Sequence, residues 1–208
     1  MTKKWSEFPS GGAVSGTDVT VGLQGGVNVQ GTQLQAATYF WANPQPNARA
    51  VCAVLGVPFI VGQSNAAVSN TGSTAEFTFA TIVIPAGSMG ANGIINVNVI
   101  WSFSGAAGTR VPRVYLGSTA FETGLAAAST VNSFRTIVQI CNNNSATAQK
   151  AMPANFGTGT FLGTSGAALT TGAEDTSGAL NLTIRGALTS AADTMILESY
   201  SVELLYRA

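Results

Sequence analysis

The sequence predicts an all-β protein: an antiparallel β-sandwich, jelly-roll-like, preceded by an extended N-terminal arm and a short helix. Three observations carry this expectation. Beyond residue 60, apolar residues recur with period two between Gly, Asn and Pro punctuation. Nowhere in that region does an apolar pattern sustain period 3.6 for three turns, which argues against crossover helices and a parallel sheet. The alternating segments number roughly eight, as in sandwiches and jelly rolls.

The first 48 residues read differently from the rest. Phe8-Pro9-Ser10-Gly11-Gly12 and Val14-Ser15-Gly16-Thr17-Asp18 are turn-rich and forbid a long helix. Val19, Val21 and Leu23 then alternate with Thr20 and Gly22, and Gly25-Gly26 turns the chain before Val27-Asn28-Val29. A small hairpin is expected there, one that needs outside support. From Thr32 to Trp41, Leu34, Ala37 and Trp41 recur at helical spacing until Asn43-Pro44-Gln45-Pro46 stops the turn, which predicts a short helix and a linker. Trp5, Phe8, Leu23, Tyr39, Phe40 and Trp41 amount to more apolar surface than an arm leaves in water at about 25 cal/mol per Å². Another chain is expected to cover it. The domains are therefore drawn as 1–48, arm, helix and linker, and 49–208, a β-sandwich head.

In the head, Thr74 to Ile84 reads as the first strand, ended by Pro85-Ala86-Gly87; Asn92-Gly93 supplies a turn tolerant of positive φ. Ile95, Val97, Val99, Trp101 and Phe103 share one face of the next strand, with Asn96, Asn98 and Ser102 on the other, so it is half-buried and Trp101 faces the core. Further strands are expected at Arg110 to Leu116, Ser133 to Cys141, Ala179 to Leu188 and Thr194 to Tyr206. Weaker patterns mark Ser118 to Glu122 and Ala148 to Asn155.

Composition bounds the chemistry. At 208 residues the chain suits one domain of about 150 residues with an appendage. It has no His, which removes Ser-His-Asp, Cys-His and His-zinc sites. Nine basic side chains balance nine acidic ones and are scattered from Lys3 to Arg207, leaving no basic stripe for nucleic acid. With 9% charged residues and no net charge, the surface is poorly protected against association, and an oligomer is expected. Cys52 and Cys141 allow one disulfide at most and lack CxxC spacing; free buried thiols are the preferred reading. No apolar run follows the basic residues of Met1 to Glu7, and Ala50 to Val61 is broken by Gly56 and Pro58. Neither a secretory signal nor a membrane span is expected, and the chain is read as made in a cytoplasm.

Few motifs point to chemistry. Glu174 and Asp175 suggest the paired carboxylates of a glycosidase, but adjacent strand residues face opposite ways, and a solvated loop between Gly172 and Gly178 fits them better. Gly157-Thr158-Gly159-Thr160-Phe161-Leu162-Gly163 has its third glycine one residue late for a phosphate-binding turn and no helix after it, so a loop is expected. Asn143-Asn144-Ser145 and Asn181-Leu182-Thr183 fit the glycosylation pattern but read as a turn and a strand. Arg110 and Arg113 flank Val111-Pro112; they either pair with acids of a neighbouring subunit or face solvent, the latter preferred. No residue draws a catalytic label, no cofactor or metal is implied, and an enzyme is not expected.

Two stretches resemble a known family. The run Phe8-Pro9-Ser10-Gly11-Gly12 through Gly16-Thr17-Asp18-Val19-Thr20-Val21-Gly22-Leu23-Gln24-Gly25-Gly26-Val27-Asn28-Val29 is similar to the N-terminal virion-attachment segment of tailed-bacteriophage tail fibres and tailspikes. The head resembles a phage fibre domain in Thr71 to Glu76, in Ala80-Thr81-Ile82-Val83-Ile84-Pro85-Ala86-Gly87 continuing to Asn92-Gly93, in Arg113-Val114-Tyr115-Leu116-Gly117 and in Glu198 to Leu205. Together these motifs are spread along the chain from Phe8 to Leu205, although it has no room for a long shaft or an enzymatic β-helix.

The resemblance implies a virion structural protein, a homotrimer whose N-terminus docks on tail or neck proteins while the β-domain points outward. Trp5, Phe8, Pro9, Asp18, Leu23 and Val27 are the expected attachment residues. The loops from Asn142 to Ser145 and from Gly163 to Ser177 are expected at the tips, with Asn142, Asn143, Asn144, Thr164, Glu174 and Asp175 facing a receptor such as host cell-surface carbohydrate. The alternative is a head decoration or cement protein that staples capsid or neck subunits with the same arm.

Overall fold

The structure, a computed structural model, describes residues 19–24, 27–32, 57–122, 130–156 and 169–207. The chain divides into two compact units, residues 1–48 and residues 49–208. In the first, β1 (Val19–Gln24) and β2 (Val27–Thr32) form an antiparallel hairpin in which Val19 is opposite Thr32 and Gln24 opposite Val27. Gly25-Gly26, the predicted turn, lies between the two strands and outside the described residues. The helix expected from Thr32 to Trp41 lies, after Thr32 in β2, outside the described residues.

The second unit is a two-sheet antiparallel sandwich, and no helix occurs among its described residues. Its strands are β3 (Phe59–Ser64), β4 (Val68–Thr71), β5 (Phe77–Ile84), β6 (Ile94–Ser104), β7 (Arg110–Leu116), β8 (Thr119–Glu122), β9 (Ser133–Asn142), β10 (Gln149–Phe156), β11 (Thr170–Gly172), β12 (Leu180–Leu188) and β13 (Thr194–Leu205). The larger sheet runs β11-β10-β9-β6-β13-β3, and β4 also pairs with β13. β3 and β4 take successive stretches of one edge of β13, Tyr200 to Leu204 and Thr194 to Leu197. The smaller sheet runs β5-β12-β7-β8.

Alternation along each strand builds the core. Ile95, Val97, Val99, Trp101 and Phe103 point inward from β6 and are all buried, as expected from their spacing. They meet Val138 and Ile140 of β9, Val202 and Leu204 of β13, and, from the opposite sheet, Ile82 and Ile84 of β5, Leu116 of β7 and Ile184 of β12. Phe79 of β5 packs edge-on against Trp101 of β6 with centroids 5.2 Å apart, joining the two layers. Where β3 approaches β5, a Cβ on Gly62 would lie 2.8 Å from Ile82 Cγ2, so this close approach requires glycine.

Three strands depart from the expected pattern. β3, β4 and β11 were not foreshadowed by alternation, and β11 falls inside the stretch expected as a loop from Gly163 to Ser177. The two arginines also depart from it. Arg110 is fully buried, its Nε 3.6 Å from Asp193 Oδ2, and its guanidinium donates to the carbonyls of Ser104 and Gly105. Arg113 pairs within the chain, Nη1 to Glu76 Oε2 at 2.9 Å. Neither needs a neighbouring subunit for its charge.

Candidate functional site

The antiparallel registers gather several loops at one end of the sandwich. β6 begins there, opposite the end of β9, and β13 finishes there. The segments 85–93, 143–148 and 173–179 and the turn at Gly117-Ser118 converge on it. The chain enters β3 at Phe59, opposite Leu204, at this same end.

Asn142 organises these loops from within. It was expected at an exposed tip, but it is the last residue of β9 and 5% exposed. The reason is parity: Phe134, Thr136, Val138 and Ile140 face inward, so Asn142 must follow them. Its Nδ2 donates to Gly90 O at 2.6 Å and to Thr176 Oγ1 at 2.8 Å, and its Oδ1 accepts from Gln149 Nε2 at 3.0 Å. Thr176 passes the chain onward, donating from Oγ1 to Ala146 O at 2.9 Å. Gln149 is also buried; it accepts the Glu174 N–H at 2.8 Å and donates to the carbonyls of Glu174 and Ala146. Three loops are thus tied by side-chain amides and a hydroxyl, and the side chains of Asn142, Gln149 and Thr176 all find partners.

The exposed rim is short. Asn143 and Asn144 are exposed, and Asn144 adopts φ 54°, a left-handed conformation that asparagine tolerates. Asp175 is exposed and closes a local turn, its Oδ1 accepting from Ser177 N at 3.0 Å and Ser177 Oγ at 2.6 Å. Glu174 is half-buried. Its Oε1 accepts from Ser118 N at 3.0 Å and from the hydroxyls of Ser118 and Thr119, each at 2.7 Å.

These contacts decide the carboxylates' charge. Burial pushes the Glu174 carboxyl up, but the hydrogen bonds from Ser118 and Thr119 together outweigh it and hold it below the ordinary carboxylate range. The hydrogen bonds from Ser177 hold Asp175 down as well. A glycosidase acid needs a carboxyl shifted upward. Here both acids are shifted the other way and occupied in tying turns. Cys141, beside the cluster, is a free thiol that burial pushes up, which disfavours the reactive thiolate. Among the described residues, no group of three or more His, Cys, Asp or Glu side chains could hold a metal, and no helix is long and apolar enough to cross a membrane.

Of the residues singled out in the sequence, Asn142, Asn143, Asn144, Glu174 and Asp175 come together at this end. Thr164, Trp5, Phe8, Pro9 and Asp18 lie outside the described residues. Leu23 of β1 is opposite Asn28, and Val27 of β2 is opposite Gln24. Gln149, Thr176, Ser118 and Thr119 carry the network but were not anticipated, because the contacts that join the loops are distant in sequence, Glu174 being 25 residues from Gln149 and 56 from Ser118.

No protein-family model matches the chain, and no curated protein matches it. Among solved structures, arcelin-5, a lectin-like defence protein from Phaseolus vulgaris, is similar over 73% of this chain and 99% of its own, with a TM-score of 0.36 and 8% sequence identity.

Proposed function

We propose that the chain is a short tail-fibre-type appendage of a tailed-phage virion. In this reading it is a non-enzymatic homotrimer that docks on tail or neck proteins through its N-terminal unit and holds the β-sandwich for contact with host-surface carbohydrate. The observation that carries the reading is the division of the chain into residues 1–48, with their turn-rich, apolar sequence, and a sandwich with its own core in 49–208. The state of the carboxylates supports a non-enzymatic role: Glu174 and Asp175 are held ionised by loop-tying hydrogen bonds rather than poised for proton transfer.

Deletion of residues 1–30 tests it. A β-domain that folds but is missing from purified particles is the expected result. A deletion protein that still enters particles overturns the docking role, and full-length protein located on the capsid shell overturns the tail assignment in favour of head decoration.

A further inference from the structure

The outer face of the smaller sheet carries an arrangement that core packing does not require. Arg113 of β7 and Arg185 of β12 stand directly opposite one another. Like charges in that position repel. Both side chains remain 33% exposed, and the carboxylate between them is that of Glu76, 2.9 Å from Arg113 Nη1 and 3.9 Å from Arg185 Nη1. One negative charge facing two guanidinium groups leaves an excess of one positive charge.

The second guanidinium is also held in place. Arg185 Nε donates to Thr183 Oγ1 at 2.9 Å, and its Cζ lies 4.4 Å from the centroid of the Tyr115 ring, which stands opposite Thr183 on β7. A stacked, anchored guanidinium has lost much of its side-chain freedom already, so binding an oxyanion costs it less entropy. Around it the outward residues are uncharged: Thr78 is opposite Arg185, Thr81 is opposite Thr183, and Asn181, exposed, is opposite the apolar Val83.

We propose that this face, centred on Arg185 with Arg113 and Tyr115, binds a saccharide bearing a carboxylate. The guanidinium of Arg185 takes the carboxylate, and Thr81 and Asn181 serve the sugar hydroxyls. The inference rests on the carbohydrate-contact part of the proposed function and names its ligand class.

Calorimetric titration of the full-length protein with an oligogalacturonate, and with a neutral cello-oligosaccharide as control, tests it. The uronate is expected to bind and the neutral sugar not. Arg185→Gln weakens uronate binding by at least about tenfold, and Arg185→Lys weakens it too, because an ammonium lacks the planar fork. Lys150→Gln, which removes an exposed positive charge on the other sheet, leaves it unchanged. Absence of uronate binding, or an Arg185→Gln protein that binds as tightly as the parent, overturns the proposal. Binding of inorganic phosphate in place of uronate overturns it in favour of a phosphate-bearing partner. Circular dichroism and thermal melts establish that each variant is folded, and the lysine variant decides the matter should the glutamine one fail to fold. Incorporation of Arg185→Gln into particles separates the two readings: the appendage survives the loss of this site, whereas the site has no host role if the appendage reading fails.

Discussion

Asn142 and Glu174 do related work by different means. Asn142 is buried and offers both a donor and an acceptor, so its replacement by Ala strands the Gly90 carbonyl and removes partners from Thr176 and Gln149. Asn142→Ala is expected to destabilise the sandwich by about 2–3 kcal/mol, read from urea unfolding midpoints at constant slope. Glu174 acts through charge. Its folded-state pKa lies below the unfolded value of about 4.3, so its stabilisation is fully present above that value and is lost as pH falls through the lower, folded one. Glu174→Gln should therefore melt below the parent at neutral pH, and the gap should close on acidification below about pH 4. A gap that persists unchanged in acid would assign the loss to geometry rather than charge. Asp175, fully exposed with its own local turn, shifts in the same direction in both proteins and drops out of the difference.

At the scale of elements, the far end of the sandwich depends on one buried ion pair. The connection from β6 to β7 is closed by Asp193, whose Oδ1 accepts from Ala107 N at 3.0 Å and Oδ2 from Gly108 N at 2.8 Å, while Arg110 lies beside it. Gly105 has φ 85° there, and a Cβ on it would collide with Asp193. Removing one partner of such a pair leaves a buried charge, so Asp193→Ala should cost about 3–5 kcal/mol, a large share of a domain's stability, measurable by thermal unfolding. This pair was illegible in sequence because its members meet only through the pairings of β12 with β7, Leu188 opposite Arg110, and of β13 with β6, Thr194 opposite Ser104. What was legible followed the same physics in reverse. β6, β7, β9, β12 and β13 lie within a residue or two of where alternation places them, since a sheet with one buried face writes period two into its strands. β4 and β11, of four and three residues, are too short to show a period. β3 loses its own at an irregularity opposite Val202 and Glu203, where Gly62 replaces a side chain. Asn142 lies one residue past the predicted strand, which ends at Cys141, yet the parity of Phe134, Thr136, Val138 and Ile140 extends to it.

For the whole molecule, the question is whether the sandwich folds without residues 1–48. Among the described residues, the buried apolar core runs from Phe79 to Leu204, and the division of the chain after Ala48 leaves it in one unit. Residues 49–208 alone should therefore unfold cooperatively, with a melting temperature within a few degrees of the full chain's, about the shift that 1 kcal/mol produces in a domain of this size. Association is a separate matter. β5, from Phe77 to Ile84, is an uncharged edge of the smaller sheet with Val83 60% exposed, and strands of that kind pair with other chains unless something blunts them. Light scattering of both proteins distinguishes where assembly resides. A mass of three chains for the full-length protein and one for residues 49–208 would place trimerisation in the N-terminal unit. Three for both would place it in the sandwich, and Val83→Lys would then be expected to lower the mass without lowering the melting temperature. A monomer in both cases would contradict the homotrimer and confine assembly to contacts made on the particle.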